Sequence, residues 1–236
     1  MPEITCLETI PFDPDHERLI ESLCLSPDTE DASEFRTLFE RLRPIIRPRA
    51  LFAEAFIDQL EEESVTIDGV LYRSRVLARN LEGIHRVFPY IATCGPEIDN
   101  AEDSKDDLLV QYWIDAIKAE ALTSARTFIA GYLSRTFATG NLSSMNPGSG
   151  DVDVWPIEQQ RLLFTYFGDT ESMIGVRLTP SCLMIPNKSV SGIFFPSDVS
   201  FSTCSLCHRQ NCVGRRAEFD PDEFERVSTR VPENAE

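Results

Sequence analysis

Three observations predict an α+β fold: a mostly antiparallel, twisted sheet packed on a long helix, with a helical extension before it. Residues 106–137 carry one apolar stripe through Leu109, Trp113, Ile114, Ile117, Ala121, Ala125, Phe128, Ile129 and Leu133. That recurrence is helical and long enough to form a spine for a sheet. Val65-Thr66-Ile67 and Val70-Leu71-Tyr72 flank Asp68-Gly69, the pattern of a tight hairpin. Short β-type runs at 87–93, 175–178, 183–185 and 193–195 follow without a regular strand–helix alternation, which favours antiparallel pairing.

Taken in order, the first 62 residues read as an N-terminal helical segment. Asp15 caps a short helix carrying Leu19, Ile20 and Leu23, and Asp31 or Ser33 caps the next, where Phe35, Leu38, Phe39 and Leu42 recur at helical spacing. Pro44 and Pro48 break it. Leu51, Phe52, Ala55, Phe56 and Leu60 predict a third helix, ending in Glu61-Glu62-Glu63. Beyond the hairpin come a short helix at 74–81 and the strand at 87–93, closed by Cys94-Gly95. After the long helix, TGNLSSMNPGSGDVDV at 139–154 reads as an irregular loop of the kind that carries function. A helix over 156–167 and three further strands complete the body, and the acidic stretch after Ala217 reads as a frayed tail.

Composition narrows the function. The 236 residues hold 39 acidic and 22 basic side chains, a formal charge of −17. Nucleic acid and anionic membrane need clustered Lys and Arg, so neither is an expected partner. The N-terminus lacks the basic and apolar regions of a signal peptide and no apolar run has the length of a membrane helix, so the expected location is the cytoplasm. There thiols stay reduced, and seven cysteines are poor grounds for disulfides. No nucleophile triad, phosphate loop or dinucleotide fingerprint is present, and enzymatic activity is left open.

Residues 145–195 are the most distinctive stretch. A Pro147-Gly148 loop is followed by a helix, then by Gly175-Val176, Leu178-Thr179, Ser181, Met184, Pro186 and Ser189-Val190-Ser191-Gly192 before an aromatic strand. This resembles the activation domain of vitamin B12-dependent methionine synthase. The resemblance implies an activation-like domain over 63–200, with the N-terminal segment 1–62 before it and a Cys-rich motif and acidic tail at 201–236. It also implies maintenance of cobalamin carried by a partner: a corrinoid-binding protein or methyltransferase whose cobalt has slipped to Co(II). A free-standing protein would do this in trans, with a redox partner besides. Pro147, Gly148, Ser189, Ser191 and Gly192 are then the candidate cofactor-binding residues. The family's S-adenosylmethionine loop reads R-x-x-x-G-Y, whereas here Ser144 and Ser149 stand in the Arg and Tyr positions around Gly148. A hydroxyl does not replace a guanidinium that holds a carboxylate by two charge-assisted bonds, which argues against S-adenosylmethionine in the family's mode. The resemblance further implies a site-lining place for Lys188 and, on the long helix, for Asp115 and Glu120.

Beyond the last strand the family has a Tyr-bearing segment of its ligand site. This chain instead has FSTCSLCHRQNCVGRR, with Cys204, Cys207 and Cys212 spaced C-x2-C-x4-C. Thiolates at C-x2-C spacing close onto one metal with little strain. A second knuckle for zinc is missing, whereas an iron–sulfur cluster accepts a fourth cysteine from far off. Cys182 is the preferred fourth ligand, with Cys94 and His208 as alternatives. Cluster potentials reach down to about −700 mV, low enough to reduce Co(II) to Co(I). The expectation is therefore reductive corrinoid activation through an iron–sulfur cluster. The alternatives are a structural zinc site in a non-redox adaptor, or a module that binds S-adenosylmethionine as methyl donor.

Overall fold

The computed structural model describes residues 2–100, 107–150, 154–197, 203–209, 211 and 217–228. Its centre is β6 (Arg86–Thr93), a strand buried along nearly its whole length. On one edge β6 pairs antiparallel with β2 (Arg49–Ala53) through Leu51↔Ile91 and with β3 (Ala55–Leu60) through Ala55↔Val87. The chain passes from β2 to β3 at Glu54, so the two strands share that edge between them. On the other edge β6 pairs with β10 (Ser189–Pro196), which in turn pairs with β7 (Leu142–Met145). Outward from β2 lies β1 (Ile4–Leu7), and outward from β3 lie β4 (Ser64–Ile67) and β5 (Val70–Arg73), giving one curled antiparallel sheet of eight strands.

Helices cover both faces. α1 (His16–Ser22) and α2 (Glu30–Leu42) precede β2, and α3 (Arg75–Asn80) follows β5. The spine is α4 (Leu108–Phe137), opened by Asp107, whose carboxylate accepts from the Leu109 and Val110 amides. Ala125, Ile129 and Leu133 of α4 pack on Ala50, Phe52, Phe88 and Tyr90 of the sheet. The first half of α4 packs through Trp113, Ile117 and Ala121 on Phe35, Phe39 and Leu42 of α2. The opposite face is covered by α5 (Gln160–Phe167) and α6 (Thr170–Ile174): Phe167 and Ile174 meet Leu51, Ala53 and Ile91. A small hairpin, β8 (Arg177–Leu178) and β9 (Met184–Ile185), stands apart from the main sheet.

Four expectations change. Residues 51–60 are not a helix but most of β2 and all of β3. Their unbroken apolar run arises because β2 is covered on both faces, so alternation is lost. The expected N-terminal helical segment thus contributes three strands to the sheet. The residue that caps α2 is Thr29, which accepts from Ala32, rather than Asp31 or Ser33. The stretch read as an unbroken loop at 139–154 contains β7, whose sequence LSSM is too short and polar to announce itself. The stretch after Ala217 is not frayed through to its end: α7 (Pro221–Ser228) packs on α3, and Phe224 joins the core there.

Candidate functional site

The Pro-Gly loop follows directly from β7. Pro147 is buried and Gly148 exposed. Gly148 has φ +77°, and its amide donates to the Trp155 carbonyl at 2.8 Å. A side chain there would press within 3.0 Å of Ile157. Glycine at 148 is thus required both by the left-handed backbone and by contact. Before the loop, the buried Asn146 amide donates to Tyr90 Oη and to the Ser191 carbonyl, each at 2.8 Å. The loop is pinned to β6 and β10 by this one side chain.

The Ser-Val-Ser-Gly run begins β10. Ser189 is buried, 2.9 Å from Thr93 Oγ1, and donates to the Pro186 carbonyl at 2.8 Å. Ser191 is 1% exposed and donates to Gln160 Oε1 at 3.1 Å. Gln160 in turn donates to the Cys182 carbonyl at 3.0 Å. Both serine hydroxyls are therefore engaged in anchoring β10 to β6 and to α5. Gly192 faces the Met145 carbonyl and the Asn146 amide so closely that a Cβ would overlap both. It lets β10 and the start of the Pro-Gly loop lie in contact.

One face of α4 borders this loop. Asp115, Leu122 and Arg126 share it by helical spacing. Asp115 pairs with Lys188 at 2.8 Å and accepts from Asn187, which ties α4 to the turn before β10. Arg126 Nη2 lies 3.5 Å from Ser144 Oγ, and its Nε is buried with no hydrogen-bond partner among the described residues. Another face of α4 carries Glu120, Thr123, Ser124 and Thr127. With Pro11, Arg18 and Leu19 they line a cavity of about 620 Å³ between α1 and α4. Burial raises the Glu120 carboxyl above the ordinary carboxylate range.

The cysteines are distributed as follows. Cys182 is buried in the turn between β8 and β9 with φ +61°, and Arg161 Nε donates to its sulfur at 3.3 Å. Cys204 sits in a 3₁₀ turn at Thr203–Leu206 and Cys207 follows it, half-buried. The Cys204 side chain and Cys212 lie outside the described residues. No group of three or more His, Cys, Asp or Glu suited to a metal is assembled among the described residues. Cys94 is buried at the end of β6, and burial pushes its thiol up to about 12. His208 packs its ring on Phe219 and Phe224, at centroid distances of 4.3 and 4.7 Å.

The sequence missed Asn146, Gln160 and Arg126. The first two look like ordinary polar residues of a loop and a helix start. Arg126 leaves a trace, since it falls four residues after Leu122 within an otherwise apolar or small stretch of α4.

A curled antiparallel sheet packed on a long helix is a fold that this chain shares with a solved structure. The solved MetH reactivation domain bound to AdoHcy superposes on this chain with a TM-score of 0.62. The match covers 86% of this chain and 81% of that domain at 14% identity. No family model matches the sequence, and no curated protein matches it. Among the described residues, no helix is long and apolar enough to cross a membrane.

Proposed function

We propose that this protein serves a corrinoid protein of a methyltransferase system and promotes the return of its cobalt from Co(II) to Co(I). The carrying observation is the shared fold over 86% of the chain. The Pro147-Gly148 loop and Ser189–Gly192, the residues that resemble the family, meet at one place in it through Asn146 and Gly192. The step is a one-electron reduction, Co(II) plus an electron giving Co(I). Cys204, Cys207 and Cys212 with Cys182 would hold a metal centre, an iron–sulfur cluster in preference to zinc, and such a cluster would supply low-potential one-electron chemistry there. Anaerobic purification followed by iron, sulfide and zinc analysis tests the centre. Iron and sulfide with a paramagnetic signal after dithionite support it, and a colourless protein with zinc alone leaves the adaptor reading. The function itself is tested by following the visible spectrum of a Co(II) corrinoid protein with reductant present. Faster loss of the Co(II) band on adding this protein is the expected result, and an unchanged rate rejects the proposal.

A second reading concerns the small molecule. The MetH domain holds AdoHcy, the product left when S-adenosylmethionine gives its methyl group away. Arg126 supplies an unsatisfied donor beside Ser144, on the strand that leads into the Pro-Gly loop. On the likeness to that domain, S-adenosylmethionine or AdoHcy is the ligand class we assign to the region of the Pro-Gly loop. When bound, S-adenosylmethionine supplies an electrophilic methyl group. The chain's part is to orient it and to keep the loop pinned. Calorimetric titration with AdoHcy checks this, and an absence of heat at millimolar ligand removes it.

A further inference from the structure

We infer that a cavity between α2 and α4 is a docking site for a basic segment of a partner protein, which sets one apolar side chain into it. The inference is independent of the corrinoid and nucleoside readings. By helical spacing, its α4 residues lie on another side of the helix from Asp115 and Arg126.

The first ground is shape. Glu34, Thr37, Leu38 and Arg41 of α2, with Val110 and Trp113 of α4, line a cavity of about 350 Å³. That is the small end of ligand pockets, with room for one large side chain and the backbone beside it. The second ground is an open donor. Trp113 is 1% exposed, and its Nε1 has no hydrogen-bond partner among the described residues. A buried N–H left open calls for an acceptor. A peptide that places a side chain in the cavity brings backbone carbonyls with it. The third ground is the surroundings. Leu109 stands one turn before Trp113, and Tyr112 and Leu108 continue an exposed apolar surface round α4. Such clustering is the mark of an interaction surface. The fourth ground is charge, and it selects the partner. Glu34 is exposed, as are Glu30 and Asp31 one turn before it, and none of the three forms an ion pair among the described residues. Asp107, the cap of α4, adds a carboxylate on the other helix. Thr37 donates its proton to the Ser33 carbonyl at 3.0 Å, so its oxygen is left to accept. Arg41, the cation in the lining, has a partner of its own. The rim is thus rich in acceptors, which Lys and Arg side chains satisfy and a carboxylate-bearing partner does not.

Selection from a random-sequence dodecapeptide library on the full chain tests this. Peptides that also bind Thr37→Arg are discarded, because that variant crowds the cavity from an exposed helical position and adds positive charge. The retained peptides should share one bulky apolar residue flanked by Lys or Arg. A labelled synthetic peptide with that consensus, followed by fluorescence anisotropy, should bind Glu34→Lys about tenfold more weakly. Trp113→Phe keeps an aromatic ring but loses the N–H, and should weaken binding about fivefold. Added sodium chloride should weaken it further. Glu34→Lys and Thr37→Arg should melt with the parent protein, which separates lost binding from lost folding. An absent or acidic consensus, or unchanged affinity in Glu34→Lys or Trp113→Phe, overturns the inference. A dimer seen by sedimentation and broken by Thr37→Arg also overturns it, and gives the cavity to a second copy of the chain. Each of these outcomes leaves the corrinoid reading to its own spectral test.

Discussion

Gly192 shows how one atom decides the cleft. With hydrogen as its side chain, β10 closes on the Met145 carbonyl and the Asn146 amide. Gly192→Ala is expected to cost about 3 kcal/mol through overpacking, read as a lower urea midpoint. Glu120 is the other residue with a measurable signature. Its carboxyl is half-buried without a described partner, and desolvation raises its pKa. The folded chain therefore keeps that proton to higher pH than the unfolded chain. Stability from this group falls as pH rises through the ordinary carboxyl pKa towards the folded value. Glu120→Gln should raise the melting temperature at pH 7 by about 2 °C. Near pH 3, where both states are protonated, the two proteins should melt together. A gap that persists at pH 3 would assign the effect to packing instead.

At the scale of elements, one amide of α5 ties the helix to both the sheet and the β8–β9 turn. Gln160 accepts from Ser191 on β10 and donates to the Cys182 carbonyl in the β8–β9 turn. Gln160→Ala leaves a buried hydroxyl and a buried carbonyl unpaired, and should destabilise by about 2 kcal/mol in chemical denaturation. Elements with local punctuation are legible in the amino-acid sequence alone. Asp15 caps α1 as its position suggests, the Asp68-Gly69 turn joins β4 to β5, and α4 ends at Phe137 as read. What stays hidden depends on what lies above and below the chain. Leu51 points to α5 and α6 while Phe52 points to α4, so the β2 run carries no period and imitates a helix. β7 is a strand because β10 supplies a partner for it, not because LSSM favours extension. The Pro-Gly loop and the Ser-Val-Ser-Gly run are visible as motifs. Arg126 leaves only a faint trace, since its approach to Ser144 spans a helix–sheet gap that no local pattern encodes.

At the scale of the molecule, the first 62 residues and the remainder share one sheet. β2 and β3 together cover one edge of β6, and α2 packs on α4 through Phe35 against Trp113, rings 5.9 Å apart. A chain lacking residues 1–62 is expected to lose its cooperative thermal transition, because β6 would be left with a bare edge and α4 with an uncovered face. A sharp transition near that of the full chain would instead show that residues 63–236 fold alone. The strongly negative composition fits docking on a basic or neutral partner surface.

The pairing of β6 with β10 has a consequence during synthesis. Thr93 and its partner Ser189 are 96 residues apart. A ribosome adding roughly 5–20 residues per second needs about 5–20 s to cover that distance. Through that interval β6 has β2 and β3 beside it but offers its other edge, Phe88 to Thr93, to any strand nearby. Whatever shields that edge in the nascent chain, α4 folding over its face or a chaperone, sets how much of this protein reaches its native form.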